Sequence, residues 1–120
     1  MSSKIEGIYT AYMSGIAGQG LGMFVFSLGK IAGADIAGLT FSGDYKVDND
    51  RVIGELRYKM PKGSMSITGM VFENASSEIV VPIELPVLLD EKETYRIQTP
   101  IGPVNVKFVK NVEFEGSNAN

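Results

Sequence analysis

The chain contains neither histidine nor cysteine, so the commonest catalytic and metal-binding side chains are missing from its 120 residues. A Ser-His or Cys-His dyad, an imidazole acid–base step and a Cys or His metal site are therefore excluded. Carboxylates, tyrosines, lysines and glycine-rich loops remain as groups that could do chemistry. We expect a protein that is not an enzyme and that holds neither a metal nor a cofactor.

Four carboxylates, those of Asp44, Asp48, Asp50 and Glu55, cluster around one predicted hairpin. A carboxylate pair can perform acid–base chemistry where a pocket perturbs its pKa values. These four fall in the turn or on the polar phase of the strands, interleaved with basic residues, which indicates a solvated charged face. Asp35 follows two small residues, and we expect its carboxylate to accept hydrogen bonds from backbone amides of a local turn.

The glycine-rich stretch 18–22, Gly-Gln-Gly-Leu-Gly, has the composition of a phosphate-binding loop. A dinucleotide-binding fingerprint requires a helix after the glycines, because the N-terminus of that helix binds the pyrophosphate. Residues 23–26, Met-Phe-Val-Phe, predict a strand instead. We interpret the stretch as a turn that enters the second strand.

Charge is distributed unevenly along the chain, and its total is low. Eleven basic and fourteen acidic residues give a net charge of −3, which argues against nucleic acid as a partner. Residues 7–29 carry no charge, but six glycines and several polar residues there argue against a membrane span. Residues 32–34, Ala-Gly-Ala, have the form of a signal-peptide cleavage site, yet no positively charged segment precedes them. We expect a cytoplasmic protein.

Apolar and polar residues alternate with a period of two from residue 39 to residue 71. Short turns at 48–50 and 61–63 divide this region into three strands, which predicts an antiparallel meander. No segment shows a helical period, so at most one short helix or turn is expected, near 74–77 or 88–93. Further strands are predicted at 7–14, 20–28, 78–86, 94–99 and 103–114.

Eight antiparallel strands with one buried face can form a sandwich or close on themselves. Closure removes exposed edges, and an eight-stranded interior is just wide enough for side chains or one small ligand. We therefore predict an all-β fold, a single eight-stranded up-and-down antiparallel barrel. Residues 1–114 would form the barrel domain and residues 115–120 a flexible C-terminal tail.

Three glycines, Gly43, Gly54 and Gly69, occupy inward positions of the predicted meander. They could leave space for a ligand, or they could allow the sharp curvature that barrel strands need. The predicted register sets Gly43 and Gly69 opposite Leu56, and Gly54 opposite Tyr45, so that a bulky neighbour covers each gap. A filled interior and a usable apolar cavity both remain open.

Two stretches, 21–28 and 79–89, are apolar on both faces. A barrel strand needs one apolar face, so the outward set predicts a homodimer interface or a partner site. Pro82 cannot donate a backbone hydrogen bond, which indicates an edge or a bulge in its strand. The candidates for the dimer interface are Phe24, Phe26, Val80 and Leu88.

Four short motifs occur in order: Gly-Ile-Tyr at 7–9, Gly-Gln-Gly at 18–20, Gly-Ala-Asp-Ile-Ala at 33–37 and Phe-Ser-Gly at 41–43. In this order they resemble the GrlR-type negative regulators of type III secretion. The resemblance covers about the first fifty residues and, weakly, residues 106–109. It implies a lipocalin-like (calycin) barrel that dimerises. In that family a regulator binds a transcriptional activator through an acidic loop, whose positions correspond here to 47–50, with Asp48 and Asp50 as candidate partner-binding residues.

These observations favour a non-catalytic regulatory binding protein. It would sequester a protein partner, bind a small apolar ligand in the barrel, or do both. The alternatives are a stand-alone carrier of a lipid-like molecule and, last, a barrel enzyme that uses tyrosine, lysine and carboxylate groups. The side chains predicted to face the ligand are Tyr9, Phe41, Tyr45, Leu56, Tyr58 and Ile67.

Overall fold

The structure, a computed structural model, describes residues 4–73 and 78–114. All regular secondary structure in this part of the chain is β, and the predicted all-β class is confirmed. The eight strands are β1 (Gly7–Gly15), β2 (Gly18–Ser27), β3 (Lys30–Asp35), β4 (Thr40–Asp48), β5 (Arg51–Tyr58), β6 (Ile79–Pro86), β7 (Tyr95–Thr99) and β8 (Gly102–Glu113).

The strands form one antiparallel sheet in the order β6-β5-β4-β3-β2-β1-β8-β7. Pairing of β1 with β8 joins the first strand to the last and rolls the sheet into a barrel. β6 and β7 lie beside each other at the seam, and no backbone ladder joins these two strands, which the structure describes in full. The predicted eight-stranded barrel is therefore confirmed, and it is nearly closed.

The predicted register of the first hairpin is confirmed, since Gly43 lies opposite Leu56 and Tyr45 lies opposite Gly54. A Cβ atom on Gly43 would collide with the carbonyl oxygen of Glu55, and one on Gly54 with that of Asp44. The two glycines thus allow β4 and β5 to approach closely, as the curvature interpretation requires.

The predicted third strand of the meander, 64–71, is wrong. Residues 61–73, here called the mouth loop, fold back on themselves, with a single bridge between Met65 and Val71. Gly69 adopts φ +97° in a turn, so it does not lie opposite Leu56, whose partner on β6 is Val81. Positive φ breaks a strand, and of the alternating apolar residues Met65 and Ile67 border the barrel cavity while Val71 is exposed.

The barrel still has eight strands because β3 takes the place of the strand wrongly predicted at 64–71. The sequence pattern did not predict β3. Its residues are mostly small and show no alternation, so they lack the usual signal of a strand. The turn before it consists of Leu28 and Gly29, with φ values of 51° and 81°, the left-handed region used by two-residue hairpin turns. Segment 88–93 forms a turn without a helix, while 74–77 and the predicted tail at 115–120 lie outside the described residues.

The two ends of the barrel differ in how they are filled. The closed pole is the end that carries the β2–β3, β4–β5 and β6–β7 connections, the start of β1 and the end of β8. Here Ile5, Tyr9 and Val52 are fully buried. The Tyr9 ring meets Phe26 and Phe108 edge to face, at centroid distances of 5.6 and 6.1 Å, a favourable arrangement for aromatic pairs. The open pole carries the β1–β2, β3–β4 and β7–β8 turns and the mouth loop.

Candidate functional site

A cavity of about 370 Å³ lies inside the open half of the barrel. Its aromatic wall consists of Phe24, Phe41 and Tyr58, whose rings follow one another at centroid distances of 5.2 and 5.0 Å. Branched aliphatic side chains of β6, β7 and β8, such as Ile83 and Ile97, line the rest. The volume and the apolar lining are typical of a pocket for a small molecule.

Polar side chains border the cavity toward the mouth. Asp35 Oδ1 accepts hydrogen bonds from the backbone N–H groups of Ala37 (3.0 Å) and Leu39 (2.9 Å), so its predicted role in a local turn is confirmed. The other polar lining groups are hydroxyls and an amide, on Gln19, Tyr58, Ser64, Ser66 and Thr99. The site can therefore offer apolar contact throughout and a few hydrogen-bonding groups at its entrance.

The mouth loop covers this entrance. The backbone N–H of Ala17 donates to the carbonyl oxygen of Ile67 over 2.8 Å, which fastens the loop to the β1–β2 turn. Gly15 makes this contact possible, since a Cβ there would lie 2.5 Å from the same oxygen. Thr68 packs against Gly102 at the β7–β8 turn. The loop thus spans the opening and rests on two turns of the barrel.

Four of the six side chains predicted to face a ligand line the cavity: Phe41, Leu56, Tyr58 and Ile67. Tyr9 and Tyr45 are instead part of the filled closed pole, where they lie buried. Alternation along a strand predicts that a side chain points inward, but it does not predict its height along the barrel axis. Burial raises the pKa of the Tyr58 hydroxyl, and it raises the pKa of Tyr9 far above its usual range.

Phe24 and Phe26 were expected on the outer surface, in a dimer interface, and this prediction is wrong. Both are buried, with 7% and 3% of their surface exposed, and both line the cavity. Phe24 pairs with the inward-facing Tyr9, and directly opposite residues of an antiparallel pair share a face. Since β2 is apolar on both faces, its own sequence could not reveal which face turns inward.

The cavity also includes residues of β6 that were not selected from the sequence. Val81, Ile83 and Leu85 all line it. The signal was present, because these residues alternate with exposed Val80 and Glu84 along the strand. The apolar neighbours that surround this strand in the sequence obscured the alternation.

The remaining two dimer candidates are exposed, Val80 on the outer face of β6 and Leu88 in the connection that follows it. Pro82 lies in β6, which is the last strand of the sheet at the seam. The predicted edge position of this proline is confirmed, since the missing N–H donor is tolerated where a ladder is absent.

The predicted charged face is confirmed on the outer surface of β4 and β5. Asp44 pairs with Lys30 (2.8 Å) and with Arg57 (3.0 Å), and Arg57 also reaches Glu55 (3.2 Å). The hydrogen bonds from Lys30 and Arg57 hold the pKa of the Asp44 carboxyl below its usual range. These are exposed ion pairs, which contribute little to stability.

Asp48 and Asp50, the candidate partner-binding residues, flank Asn49 at the β4–β5 turn of the closed pole. Both side chains are exposed, and neither forms an ion pair with any described residue. Across 4–73 and 78–114, no three His, Cys, Asp or Glu residues are grouped so that they could hold a metal ion. Nor does any helix long and apolar enough to cross a membrane occur in these two ranges.

Fold and cavity together define the molecule as a small up-and-down β-barrel that is filled at one pole and hollow at the other. Comparison with protein-family models, with curated proteins and with solved structures finds no match. The resemblance to GrlR-type regulators therefore stays a prediction.

Proposed function

We propose that this protein is a small non-catalytic binding protein that holds an apolar molecule inside the barrel. The observation that supports this is the cavity of about 370 Å³ beneath the mouth loop. Protein interiors are packed like organic crystals, with few voids larger than a water molecule. A void of this volume leaves its lining without contacts, which an apolar occupant would restore.

The shape of the lining also supports binding. The rings of Phe24, Phe41 and Tyr58 provide a continuous apolar wall on one side, and aliphatic side chains provide the other. A ligand between them would lose its contact with water on all sides except at the mouth. Burial of apolar surface would therefore supply most of the binding free energy, at about 25 cal/mol per Å².

A filled-cavity variant tests this proposal. In Leu56→Trp the larger side chain enters the cavity, and we expect the affinity for the neutral dye N-phenyl-1-naphthylamine to fall at least about tenfold. Ile53→Trp is the matched control, since Ile53 lies on the same strand but on its outer face and is exposed. Fluorescence titration measures both. Equal binding by the two variants, or no binding of the dye by the wild type, would contradict a ligand-binding barrel.

We further propose, as a second function, that the acidic turn binds a regulatory protein. Asp48 and Asp50 are exposed and free of ion pairs with the described residues, and they lie at the pole opposite the mouth. A partner bound there would leave the entrance of the cavity open. This placement supports a module that can carry a ligand and a protein at the same time, with the protein bound at the turn that corresponds to the acidic loop of the GrlR-type regulators.

Removal of the charges at the acidic turn distinguishes the hypothesis of a regulatory module from that of a stand-alone carrier. In the double variant Asp48→Asn, Asp50→Asn, a protein partner captured by the wild type should be lost. Glu91→Gln with Glu93→Gln removes the same charge from another exposed connection of the closed pole and should retain the partner. If both double variants retain every co-purifying protein, the acidic turn is not the binding surface and the carrier alternative stands.

A further inference from the structure

We infer that the cavity selects an uncharged ligand, an apolar molecule whose polar group is a hydroxyl or another neutral group. This inference rests on the proposed ligand-binding function and names the chemical class that the lining can accept. It follows from which charged side chains border the cavity and which do not.

Basic residues are absent from the lining. All eleven Lys and Arg residues of the chain lie within the described ranges, and none of them borders the cavity. Lys62 lies on the mouth loop, yet its side chain is exposed and does not line the cavity. A carboxylate or phosphate inside the barrel would therefore have no cation to pair with, and an unpaired buried charge is strongly unfavourable.

The charged group that does border the cavity is acidic. Asp35 carries a carboxylate at the mouth, where Ala37 and Leu39 hold one of its oxygens through their backbone amides. This negative charge repels an anionic headgroup at the mouth. A cationic headgroup could pair only with this carboxylate, which two backbone amides already stabilise. A neutral headgroup is therefore favoured over an anionic or a cationic one.

Neutral hydrogen-bonding groups complete the entrance. Among them, the Thr99 hydroxyl donates to the carbonyl oxygen of Gly102 over 2.6 Å, and the Ser66 hydroxyl accepts from the backbone N–H (3.1 Å) and the hydroxyl (3.0 Å) of Thr68. The Ser66 hydroxyl therefore keeps its proton to donate to a ligand, and the Thr99 hydroxyl, which also accepts from the N–H of Ile101, keeps one lone pair for an alcohol or amide of the ligand. The volume of about 370 Å³ lies within the ~300–1,000 Å³ that is typical of pockets for small molecules.

Three ligands of equal chain length test the inference: decan-1-ol, decanoate and decylammonium, each used to displace N-phenyl-1-naphthylamine from the full chain at neutral pH. We expect decanol to compete best and decanoate to be weaker by at least about 100-fold. In Asp35→Asn, which keeps the side-chain oxygen that accepts the turn hydrogen bonds, the affinity for decanoate should rise about fivefold relative to that for decanol. Asp48→Asn, which removes the same charge at the opposite pole, should alter neither.

The outcomes separate this inference from the proposed function. Decanoate or decylammonium binding as tightly as decanol would overturn the neutral-ligand inference and leave a ligand-binding barrel standing. Loss of all binding, that of the dye included, would overturn the proposed function and this inference with it. An equal gain for decanoate in Asp35→Asn and Asp48→Asn would show that net charge, and not the mouth carboxylate, decides.

Discussion

The closed and open poles are built from the same eight strands, yet one is filled and the other is hollow. At the closed pole the chain before β1 crosses the end of the barrel and inserts Ile5, which is fully buried beside Tyr9. At the open pole the mouth loop covers the end from outside and leaves the cavity beneath it. The difference therefore lies in what closes each end and not in the barrel wall.

The two ends of the barrel are held closed by different kinds of contact. At the closed pole the Tyr9 hydroxyl donates to the carbonyl oxygen of Ile5 over 2.8 Å, and the buried Glu6 carboxylate accepts from the backbone N–H of Leu28 over 2.9 Å. At the open pole the Ala17–Ile67 backbone hydrogen bond and van der Waals contacts hold the loop. The comparison indicates that stability resides mainly at the closed pole, while the open pole can change without unfolding the barrel.

Truncation of one aromatic ring at each pole is the strongest test of this comparison. Tyr9→Ala should lower the free energy of unfolding by about 4 kcal/mol, because a fully buried ring leaves a cavity behind. Phe41→Ala should cost only about 1–2 kcal/mol, because one side of its ring already borders the cavity. Urea unfolding of both variants measures the difference. Equal losses would show that the poles contribute equally to stability.

A second test loosens the open pole alone. In Gly15→Ala the added Cβ would lie 2.5 Å from the Ile67 carbonyl oxygen. This steric conflict should lower the free energy that holds the mouth loop against the β1–β2 turn by about 2 kcal/mol. Exchange of the Ala17 amide hydrogen, which donates to that oxygen, should then accelerate about thirtyfold. Dissociation of a bound dye should become faster in parallel.

Gly18→Ala is the matched control for the loop. Its Cβ would meet the Ile67 side chain at 3.6 Å, an ordinary van der Waals distance, so the exchange of the Ala17 amide should stay as in the wild type. If Gly15→Ala also leaves this exchange unchanged, the mouth loop is not held by the contact at Ile67.

The sequence predicted the barrel wall better than its ends. Alternation and short turns were enough to predict β4, β5 and the pairing of Gly43 with Leu56. A shift of this pairing by one residue would expose the apolar side chains of a strand to water, so the pattern specifies the register. The same alternation gave a wrong prediction at 64–71, where the segment folds back on itself instead of pairing with β5. β3, rich in small residues, gave no signal at all.

The candidate site could be predicted only in part for the same reason. Phe41, Leu56 and Tyr58 lie on well-patterned strands and do line the cavity. Whether an inward side chain meets a cavity or a packed core depends on the chain that crosses each end, and this is a matter of tertiary structure. Tyr9 was therefore assigned to a ligand although Ile5 and its neighbours surround it.

The smallest expected effect is the loss of folding stability at alkaline pH. It compares the two poles within a single molecule, since Tyr9 lies at the closed pole and Tyr58 lines the cavity of the open pole. Burial raises the pKa of Tyr9 and, to a smaller extent, that of Tyr58; a nearby Glu113 carboxylate adds to the shift of Tyr9. Below pH ~10 both tyrosines are neutral whether the chain is folded or unfolded. Above it the unfolded chain releases these protons and the folded chain retains them, so stability falls by up to about 1.4 kcal/mol per pH unit for each tyrosine.

Tyrosine-to-phenylalanine variants assign this alkaline loss to a pole. Tyr9→Phe lacks the hydrogen bond to Ile5, which lowers stability by about 1 kcal/mol at pH values where tyrosine is neutral. Its stability should nevertheless decline less steeply than that of the wild type between pH ~10 and ~11, because the buried ionising group is gone. Tyr58→Phe should flatten the decline less. Urea unfolding at each pH measures the decline of stability with pH. A larger change of this decline in Tyr58→Phe than in Tyr9→Phe would mean that Tyr58 is shielded from water more completely than Tyr9, which would contradict a filled closed pole and a hollow open pole.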